Sequence, residues 1–155
     1  MANLIKIKKG LQIPLLGTSE EVLRGGVTSE FVRICPKDFH GITPKPLVKV
    51  DDRVKAGDAL FYAKDHEEIL FASPVSGVVT AIERGEKRRI LNFEIKADST
   101  IEYVDYGVKN VASLSSEEIK SSLLSAGIWF LLHQRPYDVV ANPKKEARDI
   151  FVTGF

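Results

Sequence analysis

The 155-residue sequence predicts an α+β chain. Residues 1–100 read as a mainly-β domain with an N-terminal strand extension. Residues 101–155 read as a helical linker and the first strand of a further α/β domain. Three observations carry this. Short period-two apolar runs broken by glycine turns fill the first hundred residues. The strand–turn–strand pattern of Val50–Gly57 is echoed at Val78–Gly85. Near residue 113 the pattern changes to that of a capped helix.

Leu4–Lys8 is expected as a short strand that Gly10 ends. Gly25-Gly26 marks a turn before a strand at Glu30–Ile34. Pro36 and "FHGITPKP" (39–46) form a connection marked by proline and glycine. Val48-Lys49-Val50 alternates, and so does Leu91–Lys96, the clearest half-buried strand. In "VKVDDRVKAGDALF" (48–61), Val48, Val50 and Val54 are expected to point inward. Asp51-Asp52 offers a turn whose side chains bond back to the backbone. Gly57-Asp58 offers a second turn, one that needs positive φ.

In "SLSSEEIKSSLLSAG" (113–127), Ser115 is an N-cap and Glu118, three residues on, completes a capping box. Leu114 and Ile119 sit at the staple positions, and Ile119, Leu123 and Ala126 share one face. Gly127 fits the position just past the helix end. The apolar segment "IWFLLHQR" stops before Pro136. Asp149–Phe155 reads as a buried strand running into a glycine turn. It is expected to open a following α/β domain; the alternative is that it pairs with the N-terminal strand.

Composition narrows the function. A formal net charge of +1, from 22 basic and 21 acidic residues, argues against a general nucleic-acid binder. The basic spots at Glu86–Arg89 and Pro143–Lys145 read as solvated surface. With Cys35 as the only cysteine, no internal disulfide or thiolate metal site can form. Cys35 itself follows an apolar run and is expected to be small and buried. "MANLIKIKKG" has no signal-peptide core, and Ile128–Leu132 is far too short to span a membrane. Neither a GxGxxG nor a GxxxxGK[ST] motif occurs. The pairs Glu67-Glu68 and Glu117-Glu118 diverge as neighbours and read as surface charge.

Two strand–turn–strand halves with "SPVSG" (73–77) between them resemble the barrel-sandwich hybrid fold of biotinyl and lipoyl domains. Gly57, Pro74, Gly77 and Gly85 are its structural signature here. In those carriers the modified lysine lies at a hairpin tip, eight residues before the proline. That position is His66, while Lys64 falls two residues early, between Ala63 and Asp65. A carrier role is therefore not expected, and His66 is read as a tip without a modifiable lysine. His40, His66 and His133 stand apart from one another in sequence and read as solvated or locally bonded imidazoles. No metal ligand and no catalytic residue is assigned.

Three stretches make the resemblance specific: "IKIKKGLQIPLLGTSE" (5–20), "ITPKPLVKVDDRVKAGDALF…FASPVSGVVTAIERGEKRRI", and "LLSAGIWFLLHQRPYDVVANP…DIFVTGF" with Gly127, Trp129, Arg135 and Pro136. Together they resemble the NqrA family, one of the subunit families of the sodium-translocating NADH:quinone reductases. The resemblance runs over essentially the whole chain, as the N-terminal third of such a protein. RnfC-like subunits share the hybrid fold. The resemblance implies a peripheral, cytoplasm-facing component of a bacterial membrane redox pump. Electrons pass from NADH through flavins and iron centres to quinone, and sodium is exported. No cofactor is implied for this region itself. Its partners would be the other subunits, with quinone as a candidate ligand.

Trp129 is expected in the core with its indole N–H bonded, and Arg135 in an ion pair with a nearby carboxylate. Tyr62, Tyr103, Tyr106 and Tyr137 are candidates to line a quinone groove. Two other functions share the fold: a carrier or adaptor of biotinyl/lipoyl type, and a membrane-fusion adaptor. The second needs a long insertion at the tip, and few residues separate Tyr62 from Phe71.

Overall fold

A computed structural model describes residues 9–10, 16–18, 20–23, 25–26 and 29–152. The strand expected at Leu4–Lys8 lies outside the described residues, as do residues 153–155 of the last expected strand. The described strands are β1 Phe31–Ile34, β2 Pro44–Pro46, β3 Arg53–Val54, β4 Ala59–Ala63, β5 His66–Ala72, β6 Gly77–Arg84, β7 Ile90–Ala97, β8 His133–Gln134 and β9 Val139–Val140. The helix α1 is Ser116–Ser125. Sheet order is β1-β7-β6-β3 in one sheet and β2-β4-β5 in a second, with β8-β9 a separate ribbon. All the strand pairs are antiparallel. This is the expected mainly-β hybrid followed by a helical segment.

Side chains from both large sheets meet in one core. Phe61 of β4 stacks on Phe71 of β5 at 4.5 Å and 9°, and on Phe93 of β7 at 5.1 Å and 6°. The three rings tie one sheet to the other, each pair adding about 1 kcal/mol beyond its buried area. Leu60 and Phe61 are adjacent yet both fully buried. A bulge between Ala59 and Phe61 breaks the alternation that would expose one of them.

"SPVSG" joins the halves. Ser73 exchanges backbone bonds with the 57–58 turn: its N–H donates to the Asp58 carbonyl and its carbonyl accepts from Gly57 N–H, both at 2.8 Å. The buried Ser76 accepts the Glu102 N–H at its hydroxyl, 2.9 Å away, and the Asp98 N–H at its carbonyl. A Cβ at Gly77 would fall 2.0 Å from the Lys96 carbonyl oxygen, so only glycine lets β6 approach β7 there. The two turn glycines are not equivalent. Gly57 adopts φ +106°, whereas Gly85 has φ −97° and instead makes room for the Leu91 side chain.

Four expectations change. Val48–Val50 is not a strand, and Val50 is exposed, because Asp51 at φ 73° turns the chain there. Val54 is buried and Val48 packs on the core, as expected. The connection at residues 39–46 contains β2, whose prolines are tolerated because it is an edge strand. In β7, Leu91 faces outward and Ile90 inward. The pairing jumps from Glu83↔Asn92 to Arg84↔Ile90 and leaves Leu91 as a bulge. Residues 149–152 form no strand, and Phe151 is 88% exposed. Among the described residues no strand flanks them.

The helix forms as its sequence dictates. Ser115 Oγ accepts the Glu118 N–H and the Glu118 carboxylate accepts the Ser115 N–H, closing the capping box. At the other end, Gly127 N–H donates to Leu124 O and Ile128 N–H to Leu123 O, the Schellman pair, with Gly127 at φ +67°. The chain then turns onto the barrel. Phe130 packs on Phe39 at 4.9 Å and on Phe71 at 5.8 Å. Trp129 is 8% exposed, and its Nε1–H donates to Ala141 O at 2.7 Å.

Candidate functional site

The β4–β5 hairpin is the feature that carrier domains use. Its turn is Lys64-Asp65, both exposed, with Lys64 N–H bonded to Thr43 O at 2.8 Å. His66 is therefore the first residue of β5 and not the tip. Counting back from Pro74 misplaces it because β5 is irregular. Tyr62 faces Leu70 but Ala63 faces His66, so residues 67–69 bulge out of register. The structure thus puts Lys64 at the turn, which the count from Pro74 had denied it.

His66 Nδ1 is buried without a hydrogen-bond partner, 3.9 Å from Glu68 Oε1. Glu68 also faces Lys144 Nζ at 3.8 Å. Among the described residues no three His, Cys, Asp or Glu side chains converge as metal ligands. Cys35 is a free thiol, half-buried rather than fully so.

His133 closes the β8–β9 ribbon through Nδ1 and Asp138 Oδ1 at 3.0 Å. That bond holds the Asp138 carboxyl below its ordinary pKa. Arg135 and Pro136 belong to the turn between these strands, joined by a cis peptide bond. Arg135 makes no ion pair among the described residues; Asp138, the carboxylate of its turn, pairs with His133.

The tyrosines do not line a common groove. Tyr62 packs under Lys45, whose Nζ is 5.4 Å from the ring centre. Tyr106 Oη–H donates to Gly57 O at 2.8 Å. Tyr103 bridges to Ala56, and Tyr137 sits exposed in the β8–β9 turn. Two hollows are described, of about 520 Å³ beside Phe31, Arg33 and Glu94, and about 320 Å³ between β2 and the start of β7. Neither is lined by a tyrosine.

Sequence reasoning missed two structural groups. Phe39 and Phe130 form the joint between barrel and helical segment, and their separation in the chain hid the contact. Ser73 and Ser76 are the buried polar pair of the central turn. Two serines flanking Pro-Val in an otherwise apolar stretch were the available signal.

Known proteins are similar along the whole chain. A family model described as the NqrA N-terminal barrel-sandwich hybrid domain matches residues 5–98. A second, described as the NqrA second alpha/beta domain, matches residues 114–155. The NqrA component of the Na(+)-translocating NADH-quinone reductase from Pseudomonas aeruginosa (strain UCBPP-PA14) is 37% identical over 152 residues, 97% of this chain and 34% of its own. The protein of the same description from Haemophilus influenzae (strain PittGG) is 36% identical over 151 residues, 96% of this chain and 34% of its own. That of Yersinia pestis bv. Antiqua (strain Angola) is 34% identical over 152 residues, again 97% and 34%. The chain spans about a third of the length of these curated relatives.

Proposed function

Because the chain belongs to the NqrA family, we propose that it is the N-terminal region of the NqrA component of a sodium-translocating NADH:quinone reductase. In this reading it docks NqrA to its partners and contributes to quinone interaction. NADH, flavins and iron centres act elsewhere in the complex, and the region holds no cofactor of its own. It sits peripherally at the cytoplasmic face of a bacterial inner membrane. No helix among the described residues is long and apolar enough to cross a membrane, which agrees with a peripheral placement.

The observation that carries the reading is the 37% identity along 97% of the chain, on both sides of the Phe39–Phe130 joint. Barrel and helical segment are thus matched as one unit. The purified 155-residue chain tests the division of labour. It should be colourless and should not oxidise NADH. A soluble ubiquinone analogue should perturb the fluorescence of Trp129, the single tryptophan. A flavin spectrum or NADH turnover would place the chemistry here instead, and an unresponsive Trp129 would leave docking alone.

One observation favours a second reading. Lys64 stands exposed in the turn where carrier domains present their modified lysine. Its flanks, Ala63 and Asp65, differ from the contexts that biotin and lipoate ligases use. The intact mass of protein from its native host separates the readings. A biotinyl or lipoyl increment on Lys64 would establish the carrier.

A further inference from the structure

The hollow between β2 and the start of β7 has a definite chemistry. Pro36, Ile42, Pro44 and Ile90 supply apolar walls, and Lys37 and Arg89 stand beside them. Pro36 and Ile90 are buried, whereas both cations are exposed. Its volume of about 320 Å³ suits one or two large apolar side chains rather than an extended ligand.

The surface around it is basic, with Lys37, Lys87, Arg88 and Arg89 all exposed. Some cations elsewhere are matched, Arg33 with Glu94, Arg53 with Asp98, Lys55 with Glu102 and Lys96 with Glu30, whereas Lys49, Lys64, Lys109, Arg135 and Lys145 have no carboxylate partner among the described residues. Lys37, Lys87, Arg88 and Arg89 have no carboxylate within 4.0 Å among the described residues. Asp38 and Glu86 are the acids beside them in sequence, and both are exposed.

The turn carrying three of these cations is strained. Lys87 and Arg88 have φ 53° and 61°, and Arg89 N–H closes the turn on Glu86 O at 3.1 Å. Asn and Gly hold such a turn at lower cost. Keeping two long cations in the left-handed region is the kind of outlier that accompanies a binding role.

We infer that this hollow is a docking site for an acidic peptide segment of a partner protein in the complex, one carrying a large apolar side chain between carboxylates. The inference rests on the docking role proposed above and names its surface. The apolar walls take the side chain, and Lys37, Arg89 and the 87–88 turn meet the carboxylates. Recognition is through side chains. β2 is an edge strand, but Pro44 and Pro46 lack the N–H groups that strand addition needs. A concave apolar floor favours a peptide over a flat anionic membrane.

The test uses the 155-residue chain labelled with ¹⁵N and a fluorescein-labelled hexapeptide, glutamate-leucine-glutamate-phenylalanine-aspartate-glutamate. Anionic phosphatidylglycerol vesicles form a second arm. Peptide should shift the amide signals of Lys37, Ile42, Arg89 and Ile90. Affinity should fall at least tenfold in Lys37→Glu with Arg89→Glu, and by an intermediate factor in the milder Lys37→Gln with Arg89→Gln. Lys145→Glu should change nothing. Absent binding, signals shifting elsewhere, unchanged affinity in both double variants, or binding to vesicles but not to peptide would each overturn the site. If charge reversal leaves the chain bound to its membrane partners, this surface fails while the docking role stands.

Discussion

The Gly127 carbonyl accepts the Ala72 N–H at 3.4 Å, and a Cβ on Gly127 would lie 2.9 Å from Ala72 Cβ. One residue thus ends the helix in the left-handed region and lets the helical segment touch β5. Gly127→Ala is expected to destabilise the chain by about 2–4 kcal/mol, combining backbone strain with overpacking. Gly107→Ala, at φ +71° with nothing within 4 Å, carries only the strain, about 1–2 kcal/mol. Urea unfolding midpoints compare the two.

The same joint depends on Phe130. Truncation to alanine removes its contacts with Phe39 and Phe71 and should cost about 2–3 kcal/mol, since the ring is half-buried. If the helical segment is an independent linker, Phe130→Ala will leave the barrel's melting temperature unchanged.

Acid should loosen two specific contacts. Glu94 is held below its ordinary value of 4.5 by hydrogen bonds from Arg33 and then Thr80. Glu118 is held below 4.5 by the Ser115 N–H and then its hydroxyl. With folded values below the unfolded ones, both contributions are complete above the unfolded pKa and are lost as pH falls through the folded value. Stability should decline below about pH 4.5. Glu118→Gln keeps the capping-box geometry and should flatten that decline. Denaturant melts at a series of pH values read both effects.

The strained hairpin tip offers a gain. Lys87→Asn with Arg88→Gly should raise stability by about 1–2 kcal/mol by suiting the turn's left-handed backbone. The same change should weaken binding of the acidic hexapeptide. Greater stability with undiminished peptide binding would separate the strain from any docking role.

Local signals were the legible ones. The Ser115–Glu118 box and Gly127 fixed the helix ends within the sequence itself, because capping acts over a few residues. Gly57 was recognisable as a turn residue for the same reason. Bulges were not legible. They put Leu91 outside, made Leu60 and Phe61 both inside, and brought Lys64 to the hairpin turn, because each depends on the register of a partner strand. The Phe39–Phe130 contact spans the chain and leaves no local trace. The ion pair expected of Arg135 does not form among the described residues, where Asp138 of its turn bonds His133.

The most direct test of the docking role is purification from the native host. The protein, affinity-tagged at its chromosomal locus, would be recovered from membranes solubilised in mild detergent. Sodium-stimulated NADH:quinone oxidoreduction and the co-eluting proteins would then be measured. The docking role predicts that the activity and several multi-span partners elute with the tagged chain. A chain that elutes alone, or that carries a biotinyl or lipoyl mass on Lys64, would contradict it.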